Sequence, residues 1–259
     1  MSVDISFDKI AHAYDAQRAH PPAVSREVGA AIARVAGEHA RVLELGAGTG
    51  RIALPTAAAG CTVVGIDISL EMLRVAYQRG LQHDHGLTIQ GDITQLPLRD
   101  NAFDAVLAVH VLHLIPDWRG ALAEAMRVLR SGGAFIQGID WRDPESCAER
   151  LRGKLRETVV ELMPNARPPG AGAAIGEELA KLGGVTESEI VAAEWTSHAS
   201  PAMLLARMAQ RADAETWALD DTLLEETVAR VRAWAEATWE DLNTEQEIQQ
   251  RFVLTVIRG

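Results

Sequence analysis

Three glycines in one short stretch, Gly46-Ala47-Gly48-Thr49-Gly50, stand between an extended run, Val42-Leu43-Glu44-Leu45, and a helix-like segment. A residue without Cβ takes positive φ freely and lets a ligand lie against the main chain, so glycines at a strand-to-helix turn suit a nucleotide-type cofactor. About twenty residues on, a second apolar run, Thr62 to Ile66, ends in Asp67, a carboxylate placed to accept hydrogen bonds from ribose hydroxyls. The loop and the acid together are far more specific than either alone.

Spacing separates the cofactor classes. A dinucleotide loop reads G-x-G-x-x-G, and its third glycine lets a helix N-terminus approach a pyrophosphate. Here the glycines fall at G-x-G-x-G, and Arg51 occupies that third position. Glu44 lies at the cofactor end of the strand, where a carboxylate repels a pyrophosphate and suits an ammonium or sulfonium group.

The stretches VLELGAGTGR, VVGIDIS followed by EML, GD.TQLPL..N.FDAV and MRVLR.GG occur in this order between residue 41 and about residue 140. This series closely resembles the class I S-adenosylmethionine-dependent methyltransferases, in particular the group typified by the ubiquinone and menaquinone biosynthetic methyltransferases. The resemblance implies an α/β fold: a Rossmann-like, seven-stranded, mostly parallel sheet with helices on both faces and helical cap insertions. It also implies S-adenosyl-L-methionine as cofactor; the expected acceptor is a small-molecule oxygen, nitrogen or carbon nucleophile, the alternatives being a tRNA or protein methyltransferase with the same core or a non-catalytic S-adenosylmethionine-binding protein. Acceptor identity is not implied, because one fold hosts many substrates.

On that resemblance, the main chain at Gly46, Ala47 and Gly48 passes the methionine part of the cofactor, and Asp67 takes the ribose. Ile68 and Met72 flank the adenine, although Met72 also falls on a helix face that plain core packing would use. Asp92, followed by Ile93, corresponds to the acid that accepts from the adenine amino group; the competing reading is a cap for the following turn. His110 ends the fourth strand beside the expected sulfonium and is the first candidate to touch cofactor or acceptor. His113 could reach the same pocket, and Asp117 is the one acid in sequence reach to orient it. An imidazole in either place could act as a general base. No third ligand accompanies the H-x-x-H pair, so no metal is expected. Tyr14 and Arg18, one helical turn apart, could close over the methionine carboxylate. The absence of an Asn-Pro-Pro-Tyr-like tetrapeptide after the fourth strand, and of a Pro-Cys pair, disfavours amino methylation of adenine or glutamine and cytosine C5 chemistry.

Composition sets outer bounds. The 259 residues suffice for one large α/β domain with a decorating subdomain, and 47% apolar with 24% charged residues is ordinary for a globular protein. The formal charge of −11 opposes unaided binding to a phosphate backbone. Arg150, Arg152, Lys154 and Arg156 are interrupted by Glu149 and Glu157 and read as a solvated helix face. No apolar stretch reaches the ~20 residues that span a bilayer, and MSVDISFDK lacks the pattern of a signal peptide, so a cytoplasmic location is expected. Cys61 and Cys147 are unpatterned, with Cys61 read as a buried thiol opening the second strand.

The elements that must position this chemistry alternate along the chain, which implies a parallel sheet. Strands are expected at 41–45, 62–66, 87–91, 103–109, 133–139, 188–196 and 250–257, and helices at 51–59, 69–79, 117–130 and 173–182. Ser69 reads as an N-cap, and Gly80 and Gly132 as helix stops. Val24, Val28, Ile32 and Val35 mark a helix ahead of the first strand, and Phe7, Ile10 and Tyr14 a shorter one ending before Pro21-Pro22. The expected organisation is an N-terminal lid over 1–40, a cofactor core over 41–140, a cap insertion at 141–172, core again at 173–197, a helical cap insertion at 198–247 and a final core strand at 248–259. Trp141, Trp195, Trp217, Trp234 and Trp239 fall in the later half, as aromatic walls or as core.

Overall fold

The computed structural model describes residues 19–82, 86–164, 174–217 and 219–259. Boundaries at Asp140/Trp141, Ala193/Glu194 and Arg251/Phe252 divide the chain into two compact units.

The sheet has seven strands: β1 (Arg41–Leu45), β2 (Thr62–Asp67), β3 (Gly86–Gln90), β4 (Phe103–Val109), β5 (Leu129–Arg142), β6 (Val185–Ala199) and β7 (Gln246–Arg258), in the order β3-β2-β1-β4-β5-β7-β6. The first five in that order pair in parallel. Gly132 N–H donates to Gly259 and Asp143 N–H to Gln249, so β7 runs antiparallel to β5. The first strands are near-continuous apolar runs because helices cover them: every residue of β1 after Arg41 is buried, and six of the seven residues in β4 are buried.

The helices of the core unit follow sequence signals. α1 (Pro22–Ala36) starts with proline in its first turn, where the missing N–H costs nothing, and buries Val24, Val28 and Ile32. α2 (Ala53–Ala58) follows the glycine loop. α3 (Leu70–Gln78) is capped by the Ser69 hydroxyl, which accepts from Met72 N–H, and Gly80 follows it at φ +113°. α4 (Trp118–Val128) is capped by Asp117, whose carboxylate accepts from Gly120 N–H at 3.0 Å. Asp117 therefore serves the helix as its N-cap. The Gly132 expectation is corrected as well: α4 ends at Val128, and Gly132 (φ +75°) lies inside β5, where pairing jumps from Phe103↔Leu129 to Ala105↔Ala134. An irregularity of this kind takes up extra residues, and glycine is the residue for the positive φ it needs. Leu43, Leu45, Ile66, Phe103, Val106, Leu122 and Phe135 form the fully shielded heart of the core cluster, with α6 (Ala174–Lys181) adding Ile175 and Leu179.

The second unit contains α5 (Cys147–Leu162), α7 (Pro201–Ala209) and α8 (Asp221–Thr238). Leu151 and Leu155 of α5, Leu205 and Met208 of α7, and Val231 and Ala235 of α8 form its own apolar core. Trp234 and Trp239 meet edge to face at 5.4 Å and pack against that core. Here a charge reading is corrected: Arg152 and Arg156 both pair with Glu215, at 3.0 and 2.8 Å, so this helix face is anchored rather than simply solvated.

Candidate active site

The strand order reverses direction between β1 and β4, so the loops leaving these neighbouring strands diverge and open a crevice at their carboxyl ends, the ligand side of an open α/β sheet. Registers Leu45↔Ile66 and Leu45↔Ala108 bring Gly46, Asp67 and Val109-His110 to one edge. A cleft lies there, lined by Glu44, Gly46 to Thr49, Arg51, Ile52, Val109 and His110.

The loop conformation explains its glycines. Gly46 and Gly48 take φ of +64° and +54°, the left-handed region in which side chains are strained. A Cβ on Gly46 would lie 2.4 Å from Val111 Cγ2, whereas nothing lies within 4 Å of where a Gly48 Cβ would be. The first glycine is demanded by packing and the second leaves open space over the main chain. Ala47 N–H donates to Ile66 C=O at 3.0 Å, fixing the loop to β2.

Asp67 is buried and uses both oxygens: Oδ2 accepts from Gly48 N–H at 2.8 Å and Oδ1 from Ser69 N–H at 2.9 Å. A carboxylate has about four lone-pair sites, more than these two N–H groups use. Glu44 is buried at 3% exposure, and its Oε2 has no hydrogen-bond partner among the described residues. Burial pushes its carboxyl up to about 8; the Arg51 charge and the Ala53 N–H pull it down, and Asp67 pushes it further up. A buried acid with an unused oxygen beside a ligand cleft is what a cationic ligand group would satisfy. The loop's open main chain, Asp67 and Glu44 thus fit S-adenosylmethionine, whose ribose hydroxyls donate and whose ammonium and sulfonium are cationic.

The remaining candidates divide. Ile68 is 67% exposed and available to a flat ring, while Met72 is 2% exposed and packed into the core. Asp92 Oδ1 accepts from both the N–H and the hydroxyl of Thr94 at 2.8 Å, the turn-capping role, and Ile93 is buried. Tyr14 and Arg18 lie outside the described residues. His113 sits in a short 3-10 turn, Leu112–Leu114, its ring 6.5 Å from that of His110. Among the described residues no group of three or more His, Cys, Asp or Glu is arranged to hold a metal ion.

Three residues escaped the sequence reading as partners of His110. Its Nε2 lies 2.8 Å from Asp140 Oδ2, and Asp140 Oδ1 lies 2.7 Å from His20 Nε2. Arg51 lies 2.8 Å from the same His20 nitrogen and 3.5 Å from Asp140 Oδ2. The local signals are thin: an acid on the carboxyl side of β5, a histidine before Pro21-Pro22, and an arginine where a dinucleotide loop has glycine. Burial pushes the Asp140 carboxyl up, but the His110 and His20 hydrogen bonds and the Arg51 charge outweigh it and hold it well below the usual carboxylate range.

A parallel sheet with its order reversing beside a glycine loop, a clamped aspartate and a buried glutamate is the Rossmann-like methyltransferase fold, with a site suited to S-adenosylmethionine. Residues 43–137 match the family model described as a methyltransferase domain. A demethylmenaquinone methyltransferase of Renibacterium salmoninarum is 44% identical over 96 residues, covering 37% of this chain and 39% of that enzyme. The YcgJ protein of Bacillus subtilis superposes with a TM-score of 0.57 at 19% identity, over 91% of this chain and 98% of that one. An N-methyltransferase of Haemonchus contortus, solved with phosphomonomethylethanolamine and S-adenosylhomocysteine, gives 0.54 at 18% identity over 96% of this chain and 57% of its own. These structural likenesses are likenesses of fold. The chain spans 37% to 55% of the length of the curated relatives it matches, and no helix among the described residues is long and apolar enough to cross a membrane.

Proposed function

We propose that this protein transfers a methyl group from S-adenosylmethionine to a small-molecule oxygen, nitrogen or carbon nucleophile. The observation that carries the reading is that Gly48, clamped by Asp67, lines one cleft with Glu44, whose Oε2 has no hydrogen-bond partner among the described residues. When bound, S-adenosylmethionine supplies an electrophilic methyl carbon, and the acceptor's electron pair forms the new bond as the carbon–sulfur pair stays on sulfur. Asp67 would hold the ribose through its remaining lone pairs, Glu44 the cationic end, and Ile68 one face of the adenine. Gly46, Ala47 and Gly48 would present main chain to the methionine part, with Tyr14 and Arg18 proposed to close over its carboxylate and Asp92 to serve the adenine edge beside Ile93. Holding donor and acceptor in line supplies up to ~7–11 kcal/mol of the barrier reduction, so orientation does most of the work.

The formal charge of −11 supports a small acceptor over a nucleic acid. Segments 141–172 and 198–247 are assigned the selection of that acceptor, and the protein the cytoplasm as its location. A panel of small hydroxyl, amine and carbon-acid acceptors, beginning with a demethylmenaquinol analogue because of the relatives' names, tests the reading through S-adenosylhomocysteine formation. Turnover with one class is expected; cofactor binding without turnover across the panel would favour a non-catalytic cofactor-binding protein.

A further inference from the structure

Four residues distant in sequence converge behind the ring of His110. Asp140 lies on β5, beside β4, and the register Val109↔Gly138 brings it level with the turn that follows Val109. Its carboxylate bridges two imidazoles, at 2.8 Å to His110 Nε2 and 2.7 Å to His20 Nε2, with the Arg51 guanidinium 3.5 Å from Oδ2. The His20 ring also meets Phe252 edge to face at 5.3 Å, so the outer arm of the bridge is packed in place. His110 itself takes φ +50°, a strained backbone for a residue with a side chain, and such strain persists where the surroundings over-determine a conformation.

We propose that Asp140 is the positioning residue of a His110–Asp140 pair that fixes the ring through Nε2–H and leaves Nδ1 as the proton acceptor at the cleft. This rests on the methyltransferase reading above. An ionised carboxylate only accepts, so both imidazoles must donate to it through Nε2, and a neutral His110 then carries its lone pair on Nδ1. His20 Nε2 cannot both donate to Asp140 and accept from Arg51; with His20 donating, the Arg51 charge 3.5 Å from Asp140 Oδ2 favours the ionised carboxylate. His110 lines the same cleft as Gly46 to Thr49, one-third exposed, and no hydrogen bond is made to its Nδ1 among the described residues. The charged and titratable groups that face this ring are Asp140, His113, Arg51 and Glu44.

The acceptor chemistry follows. An acceptor atom that sheds a proton as it is methylated, such as a hydroxyl, gives that proton to Nδ1 while its electron pair bonds the methyl carbon and the carbon–sulfur pair remains on sulfur. The imidazolium forms beside an ionised Asp140, and its proton then passes to water. A tertiary amine needs no such base.

The test reads the ring directly. Nitrogen-15 correlation spectra of histidine-labelled protein at pH 8, with His110 assigned through His110→Gln, are recorded free and with S-adenosylhomocysteine. Protonated Nε2 and bare Nδ1 in the wild type, lost to a tautomer mixture in Asp140→Asn and restored in Asp140→Glu, are expected. S-adenosylhomocysteine affinity should stay within threefold in both Asp140 variants. A His110 ring protonated on Nδ1, or unchanged in Asp140→Asn, overturns the proposal. If Asp140→Asn does not fold, the wild-type pattern and Asp140→Glu decide by the same criterion. Failure of the wild type to bind S-adenosylhomocysteine would overturn the methyltransferase reading instead, while the tautomer of the free protein still decides the pair.

Discussion

Gly48 and Asp67 are joined by a 2.8 Å hydrogen bond from the loop N–H to Oδ2, so the acid expected to meet the ribose also clamps the glycine loop to the end of β2. Asp67→Ala should therefore destabilise the protein in the absence of any ligand. Two charge-assisted bonds are lost, one of them from the buried Ser69 N–H, and each such bond is worth about 1.5–3 kcal/mol. Urea unfolding of the free variant checks this; a wild-type midpoint would show that the clamp carries no stability.

Gly46 faces two separate constraints, a φ of +64° and a Val111 methyl 2.4 Å from any added Cβ. Gly46→Ala should cost about 1–3 kcal/mol, by overpacking and by strain together. Val111→Ala on that background should recover only the packing part. Full recovery in a double-mutant cycle would mean that backbone strain contributes nothing.

Glu44 gives a pH dependence with a definite sign. Its carboxyl is raised from 4.5 to about 8 in the fold, so the folded state holds a proton that the unfolded chain has released across that window. Its contribution is fully present below the unfolded value and is lost as pH rises to about 8, with a limiting slope of ~1.4 kcal/mol per pH unit. Glu44→Gln should remove that slope, its stability relative to wild type improving from pH 5 to 8 and levelling above. A difference constant with pH would contradict the assignment.

In the second unit, Glu215 pairs with Arg152 and Arg156, and Asp213 lies close enough to feel the same charges. Burial pushes the Glu215 carboxyl up, yet the Arg152 charge and the arginine hydrogen bonds outweigh it and leave it lowered. The stabilisation is thus present at neutral pH and lost as pH falls through the folded value. Glu215→Ala leaves Arg152 only partly exposed without its partner and should cost about 1.5–3 kcal/mol at pH 7, and much less near pH 3. Equal costs at the two pH values would exclude the ion pair as the cause.

What the sequence revealed was whatever is local or periodic. The apolar runs at 41–45 and 103–109 became strands with those bounds, because a sheet covered on both faces writes itself as continuous hydrophobicity. Asp67 was found because it ends the strand after the glycine loop. Asp92 was ambiguous because an aspartate two residues before a threonine can satisfy its own turn, and it does. Met72 was ambiguous because a helix face serves core and cofactor with the same residue type, and it is buried. Gly132 misled because a glycine after a helix and a glycine in an irregular strand look alike. The His20–Asp140–His110 bridge was not legible at all: its members are 120 and 30 residues apart, and the pairing of β4 with β5, which sets Asp140 beside His110, is a tertiary fact.

Isothermal calorimetry with S-adenosylmethionine on the wild type, Asp67→Ala and Gly48→Val tests the central claim most directly. The cleft should bind one equivalent in the wild type. Asp67→Ala should weaken binding by about 1.5–3 kcal/mol, as for a lost hydrogen bond to a charged group. Gly48→Val, which puts a branched side chain into the open space over the main chain, should weaken binding at least as much. Absence of binding by the folded wild type, or equal affinity in all three proteins, would contradict the assignment of this cleft to S-adenosylmethionine.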